Sequence, residues 1–246
     1  MQKYVGFTCF RVSNGKTLSL EMHGDRAIRC YSAAGITLDR VEAKNLFAKE
    51  SENIPLKGDF KVKVSFYAWP LDFKFEVQKI NRKEFLTIKL EKELESWPSN
   101  NLVKNFDYSK RKNHLEQNLD VDECLYFDDE NKVLDSTYSS FFALSGNKLH
   151  LGTTRSQQVL GVFRRRMVSN AYKLGLNIIE SDIYIEDLES FDCAFLTNDV
   201  QRIRGIKEII GNKPILFDLN KLSPIVKNVN DILLTEEHEL CQLNLF

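Results

Sequence analysis

The chain has 246 residues, with 34 Lys+Arg against 35 Asp+Glu and a formal net charge of −1. That balance argues against a general nucleic-acid binder, which carries a basic excess or a basic stripe. No apolar run approaches the roughly 18 residues of a membrane helix, so neither nucleic acid nor a membrane is an expected partner. Five cysteines, at 9, 30, 124, 193 and 241, are odd in number and scattered, with no C-x-x-C pair. Free thiols in a reducing cytosol fit that pattern better than a disulfide framework. The opening Met1-Gln2-Lys3-Tyr4-Val5-Gly6 lacks the apolar core of a secretory signal. The expected location is cytoplasmic.

Tyr4 to Val12, rich in aromatic and β-branched residues, reads as a strand ending at Asn14-Gly15, a two-residue hairpin signal. Thr17 to Glu21 is the expected return strand, followed by helices over His23–Ala34 and Leu38–Glu50. The period then changes from 3.6 to 2. Phe60, Val62, Val64, Phe66 and Ala68 alternate with polar residues, as do Leu71, Phe73, Phe75 and Val77 beyond Trp69-Pro70, predicting an antiparallel pair. Lys79 to Glu84 is the best linker candidate, and Phe85 to Leu90 the next strand.

Downstream, Lys112–Asn118 reads as a helix and Cys124–Phe127 as a buried strand, with a turn over Asp128–Asn131. Phe141–Leu144 and Lys148–Leu151 flank Gly146-Asn147 as a hairpin. A helix over Gln158–Leu174 ends at Gly175, where a C-cap glycine belongs. Asn177–Tyr184, Ala194–Leu196, Ile203–Ile210 and Ile215–Phe217 read as strands. Strands mixed with helices, without regular βαβ alternation, point to α+β or mixed α/β.

Isolated chemistry is sparse. His23, His114, His150 and His238 form no metal-ligand cluster, so no metal is expected. There is no G-x-S-x-G elbow, no P-loop and no G-x-G-x-x-G. Lys110-Arg111-Lys112 and Arg164-Arg165-Arg166 are short basic runs. Successive helical residues are offset by about 100°, so at most one or two of the Arg triplet could converge on an anion.

The order of several short motifs is more specific. Gly6-Phe7-Thr8-Cys9-Phe10-Arg11-Val12, Asn14-Gly15, then His23-Gly24-Asp25-Arg26-Ala27 resembles the opening G-x-F-E-T-x-R-V … H-x-x-R-L of the class IV aminotransferase family. Lys110 to Gln117 resembles its K-x-x-N-R-L-E-Q run, the form found in the 4-amino-4-deoxychorismate lyase branch. Val121 to Leu125, Val133 to Phe142, Leu160 to Arg164 and Phe195 to Asp199 resemble A-D-E-A-L, V-x-E-x-S-x-x-N-x-F, L-P-G-I-T-R and F-L-T-N-S, in the family order.

The resemblance implies a two-domain fold type IV architecture, like that of D-amino-acid aminotransferase. The domains expected are 1–82 and 83–246, with pyridoxal 5′-phosphate (PLP) between them. It also implies a homodimer acting on a small amino-acid-like substrate. It makes Lys110 the Schiff-base lysine, and a lysine so used needs partial burial to keep its amine neutral. It sets Asp135 where a family Glu pairs with the pyridine nitrogen. Arg26 and the backbone amides of Val162 and Phe163 would hold the phosphate, with Thr197 and Asn198 beside them.

The chain departs from the family pattern at four of these places. Asp135 is one methylene shorter than Glu, Phe163 replaces Thr, Ser140 replaces Asn, and Asp199 replaces Ser or Thr. The function expected is that of an aminodeoxychorismate lyase releasing pyruvate and 4-aminobenzoate, for folate synthesis; the alternatives are an aminotransferase of branched-chain or D-amino acids and a non-catalytic relative. Taken singly, Arg26 reads as a surface arginine, Lys110 as a solvated lysine and Asp135 as a turn carboxylate; taken in order, they read as the site.

Overall fold

A computed structural model describes residues 3–18, 20–51, 54–93, 109–153, 159–234 and 238–239, with side chains except at 48–51, 109, 110, 230, 233, 234, 238 and 239. The chain divides into two compact units, the first made of the residues up to Asn81 together with those from Ile232 onward, the second beginning at Arg82 and ending at Asp231.

In the first unit, β1 (Lys3–Ser13) turns through Asn14-Gly15 into β2 (Lys16–Thr17). Both turn residues have positive φ, 49° and 74°, which a type I′ turn requires and which Asn and Gly tolerate. Asn14 also accepts a 3.0 Å bond from the Gly58 amide, and its own amide donates to Gly58 O at 2.9 Å. Helix α1 (Leu20–Ala33) and α2 (Arg40–Ser51) follow, then β3 (Asp59–Ala68) and β4 (Asp72–Lys79). The sheet runs β2-β1-β3-β4, all antiparallel.

The expected strand over Thr17–Glu21 stops at Thr17. Leu20, His23, Gly24, Ala27, Cys30 and Tyr31 are the buried stripe of one helix, a 3, 4, 7 spacing that draws Leu20 into α1. Burial in β3 falls on Val62, Val64, Phe66 and Ala68, as the alternation predicted. The core they form with Phe10, Phe47, Phe73 and Tyr31 is a nest of rings: Phe47–Phe73 and Phe66–Phe73 centroids lie 5.0 Å apart.

The second unit holds β5 (Phe85–Lys92), α3 (Ser109–Glu116), β6 (Glu123–Phe127), β7 (Val133–Ser136), β8 (Ser140–Ser145) and β9 (Lys148–Leu151). It continues through α4 (Val162–Asn170), β10 (Asn177–Glu180), β11 (Cys193–Asn198), β12 (Arg202–Ile210), β13 (Ile215–Leu216) and α5 (Leu219–Leu234). Its sheet runs β10-β9-β8-β11-β12-β5-β6-β7, with β13 on β12. β9–β10, β12–β5 and β5–β6 are parallel and the rest antiparallel, a mixed sheet. One face buries Leu86, Ile88, Leu125, Ala143, Leu196 and Ile206 as an apolar core.

β14 (His238–Glu239) pairs with β2, so the last described strand joins the first unit's sheet, whereas the sequence division assigned 83–246 to the second domain. The strand expected over Asn177–Tyr184 ends at Glu180, because its partner β9 ends at Leu151. The chain then crosses to the β6–β7 turn, where Ile183 O accepts from the Val133 amide at 2.8 Å. Of the helix expected from Gln158, that first residue lies outside the described residues. The helix proper starts at Val162, where the family motif sets it, and a 3₁₀ turn over Ala171–Leu174 carries it to Gly175 in the left-handed region. Helix α5 has no counterpart among the expected elements. Among the described residues no helix is long and apolar enough to cross a membrane.

Candidate active site

The N-terminus of α4 is the first feature. Gly161 is its N-cap, in an extended conformation (φ −60°, ψ 139°) and without a side-chain cap. The first intrahelical bond is Arg165 N–H to Gly161 O at 3.2 Å. Helix geometry therefore gives the amides of Val162 and Phe163 no acceptor within the helix, and the dipole adds partial positive charge there. The Phe163 ring is fully buried, so at this position only the backbone amide is offered, where a threonine would add a hydroxyl.

Asp135, at the inner end of β7, is buried. Burial pushes its carboxyl up to about 7, against the opposing pull of Arg164 and Arg111 and of bonds from the Ser140 hydroxyl and the Phe141 amide. Ser140 links this acid to the helix: a Cβ at Gly161 would stand 3.3 Å from Ser140 Oγ, so glycine lets strand and helix start approach closely. Arg164 is buried too, donating to Gly152 O at 2.5 Å with Glu180 at 3.7 Å. Its guanidinium lies 5.9 Å from the Phe142 ring, which stacks on Phe195 at 5.4 Å. Two residues on from Phe195, and so on the same face of β11, is Thr197. Its Oγ1 is buried without a hydrogen-bond partner among the described residues.

Asn198 is otherwise engaged. Its Oδ1 accepts from the Val200 and Gln201 amides at 3.1 and 2.7 Å, and its Nδ2 donates to Ser139 Oγ at 2.8 Å. It shapes the β11–β12 turn from inside the protein. Asp199 is buried in that turn. Lys110 is the second residue of α3; its side chain lies outside the described residues. Arg26 sits on the buried face of α1 in the first unit.

A second polar centre carried no expected role. Glu123 is 2% exposed and pairs with buried Arg204. It also accepts from Ser136 Oγ at 2.5 Å, Ser139 Oγ at 2.9 Å and the Tyr138 amide at 3.1 Å. This fixes the Ser136–Ser139 turn between Asp135 and Ser140. On β6 Glu123 shares a face with Leu125, and on β12 Arg204 shares one with Ile206, so the pair closes the end of the apolar core. A charged residue at an inward position of an alternating strand was the available signal. Among the described residues no group of His, Cys, Asp and Glu could hold a metal ion.

A mixed sheet, an uncapped helix N-terminus and a buried carboxyl linked through Ser140 make one wall suited to a ligand with both an anionic end and a basic nitrogen. The donors present fit PLP in that respect: helix amides and the Thr197 hydroxyl toward a phosphate, Asp135 toward a ring nitrogen. The family model for Amino-transferase class IV matches residues 6–209, and the chain belongs to that family. The family is one of PLP-dependent enzymes, the family that the motifs led to expect.

A probable branched-chain-amino-acid aminotransferase of Rickettsia bellii (strain RML369-C) is 28% identical over 113 residues, 45% of this chain and 38% of that protein. The chain thus spans well under half the length of this curated relative. Among solved structures, a putative 4-amino-4-deoxychorismate lyase from Legionella pneumophila superposes with a TM-score of 0.75 at 19% identity, covering 92% of this chain and 90% of that one. An aminotransferase from Brucella abortus bound to PLP gives 0.74 at 17% identity, over 92% and 88%. These structural likenesses concern the fold.

Proposed function

We propose that the chain works as a PLP-dependent enzyme of the aminodeoxychorismate lyase type, freeing pyruvate and 4-aminobenzoate, with Lys110 as the residue that attaches the cofactor. The observation that supports it best is the Asp135–Ser140–Gly161 link, which joins an acid for the pyridine nitrogen to an anion-binding helix start within one unit. The lyase branch is favoured by the K-x-x-N-x-L-E-Q run at Lys110 to Gln117.

In this reading bound PLP supplies the electron sink for the pair left at the substrate α-carbon. Lys110 Nζ takes the α-proton and returns it, as general base and then acid. Asp135 holds the proton at the pyridine nitrogen. The Val162 and Phe163 amides and Thr197 hold the phosphate, and Asn198 keeps the turn beside Thr197 in shape. The protein works in the cytoplasm as a homodimer on a small amino-acid-like substrate.

A second reading, amino transfer to a keto acid, is favoured by the Rickettsia likeness. Borohydride treatment of protein mixed with PLP tests the shared core: a pyridoxyl mass should appear on the peptide carrying Lys110 and be absent from Lys110→Ala. Pyruvate and 4-aminobenzoate from aminodeoxychorismate then support the lyase. Amino transfer that depends on an added keto acid supports the rival, and no mass on Lys110 defeats both.

A further inference from the structure

Arg111, the residue after Lys110, is 5% exposed, unusual for the first turn of a short helix with Lys112 on its solvent side. Its guanidinium is held on three sides. Nη1 donates to Ser136 O at 3.0 Å, Nη2 donates to Glu93 Oε2 at 2.5 Å, and the plane sits 3.9 Å from the centre of the Tyr126 ring. These partners come from the end of β7, the residue after β5, and β6. Glu93 is itself fixed, its amide donating to Phe127 O at 2.8 Å. A fork that bonds two acceptors while stacking on an aromatic face is a task for arginine that lysine cannot repeat.

Ser136 directly follows Asp135, and Arg111 directly follows Lys110. We propose that Arg111 is a positioning residue that pins the first turn of α3, and with it Lys110, to the strand end that carries Asp135. The proposal rests on the reading of Lys110 and Asp135 given above. It adds a residue that the family motif leaves as an unspecified x. The fork fixes the distance between the two turns, and the positive charge beside Asp135 favours its ionised form. The charged groups acting on Asp135 are Arg111 from α3 and Arg164 from α4. Glu93 answers the first and Glu180 the second.

Two variants separate charge from geometry. Arg111→Gln removes both; Arg111→Lys keeps charge and loses the fork and the stack. The Asp135 titration in cofactor-free protein, followed by carboxyl ¹³C NMR and assigned with Asp135→Asn, should move upward by at least half a pH unit in Arg111→Gln and stay near its original midpoint in Arg111→Lys. The rate at which PLP becomes borohydride-trappable on Lys110 should fall tenfold or more in both, because both lose the fork. Arg111→Lys keeps the question open to measurement if Arg111→Gln does not fold: a trapping rate equal to the unmodified protein overturns the positioning role. If Arg111→Gln folds, an unmoved midpoint together with normal trapping also overturns it. A protein that traps no PLP at all before mutation brings down the functional reading and this inference together, whereas trapping that is indifferent to residue 111 brings down the inference alone.

Discussion

The two units bury different things. The first packs rings: Phe10, Tyr31, Phe47, Phe66 and Phe73 fill it, and Arg26 is its only buried residue with a permanent charge among those described. The second buries Arg111, Glu123, Asp135, Arg164, Asp199, Arg202 and Arg204 beneath a sheet of comparable quality. Burying a charge is costly unless it is paired and hydrogen-bonded, and apolar residues of the same volume would hold the fold as well. Of the second unit's charges, Arg111 and Arg164 act on Asp135 beside Ser140. The difference teaches where to look: packing in the first unit explains the fold, and charge in the second has to be explained by chemistry.

The contrast is broken most severely by removing one partner of a buried pair. Glu123→Ala removes the carboxylate that pairs with buried Arg204 and accepts from the Ser136 and Ser139 hydroxyls, and should cost about 3–5 kcal/mol. Phe66→Ala, in the ring nest, should cost about the same, roughly 3–5 kcal/mol, as cavity and transfer loss. Equal losses then diverge on repair. Adding Arg204→Met to a Glu123→Met background should recover part of the loss, with a coupling of about 1–3 kcal/mol. Denaturant unfolding of the single and double variants measures it. Strict additivity would mean that the pair is no unit and that the second interior is ordinary.

A smaller effect is visible as pH dependence. Asp135 has its pKa raised from 3.8 to about 7 by burial, so the folded chain holds a proton between those values that the unfolded chain has released. Stability therefore falls as pH rises through that window. Each tenfold change in proton affinity is worth roughly 1.4 kcal/mol, so in cofactor-free protein the loss is on the order of a few kcal/mol. Asp135→Asn should flatten the slope between pH 4 and 7, and the difference between the two unfolding curves isolates this carboxyl from the others. Parallel curves would place the proton elsewhere. Phe66→Ala should shift stability equally at every pH, since no ionisable group is involved.

Legibility in the sequence follows the same division. β3 and β4 declare themselves by alternation because each has one face on the ring nest, and β1 by its aromatic and β-branched residues before Asn14-Gly15. The β8–β9 hairpin is equally plain from Gly146-Asn147. Helix α5 is hidden by Pro224 in its second turn, although buried Leu222 and Val229 are seven apart on its inner stripe. A proline inside a helix removes one backbone hydrogen bond and so reads as a breaker. At the site, the order of Lys110, Asp135 and Gly161 could be read from short motifs, since each lies within a continuous run. The Glu123–Arg204 pair could not, because its members are 81 residues apart and meet only through the strand order β12-β5-β6. Local pattern reveals elements, while ion pairs between non-adjacent strands need the topology first.

Thr197 gives the smallest and most discriminating test. Its buried Oγ1 has no partner among the described residues, and an unsatisfied buried hydroxyl costs about 1–3 kcal/mol relative to a satisfied one. Asn198, its neighbour, has both of its side-chain polar atoms bonded. Valine has the same shape without the oxygen. In cofactor-free protein Thr197→Val should leave stability unchanged or raise it by roughly 1 kcal/mol. With PLP the sign should reverse: a lost bond to a charged acceptor is worth about 1.5–3 kcal/mol, a weakening of tenfold or more. Melting curves with and without PLP read both arms. A variant destabilised without PLP would show that the hydroxyl serves the fold. One indifferent to PLP would move the phosphate contact away from β11.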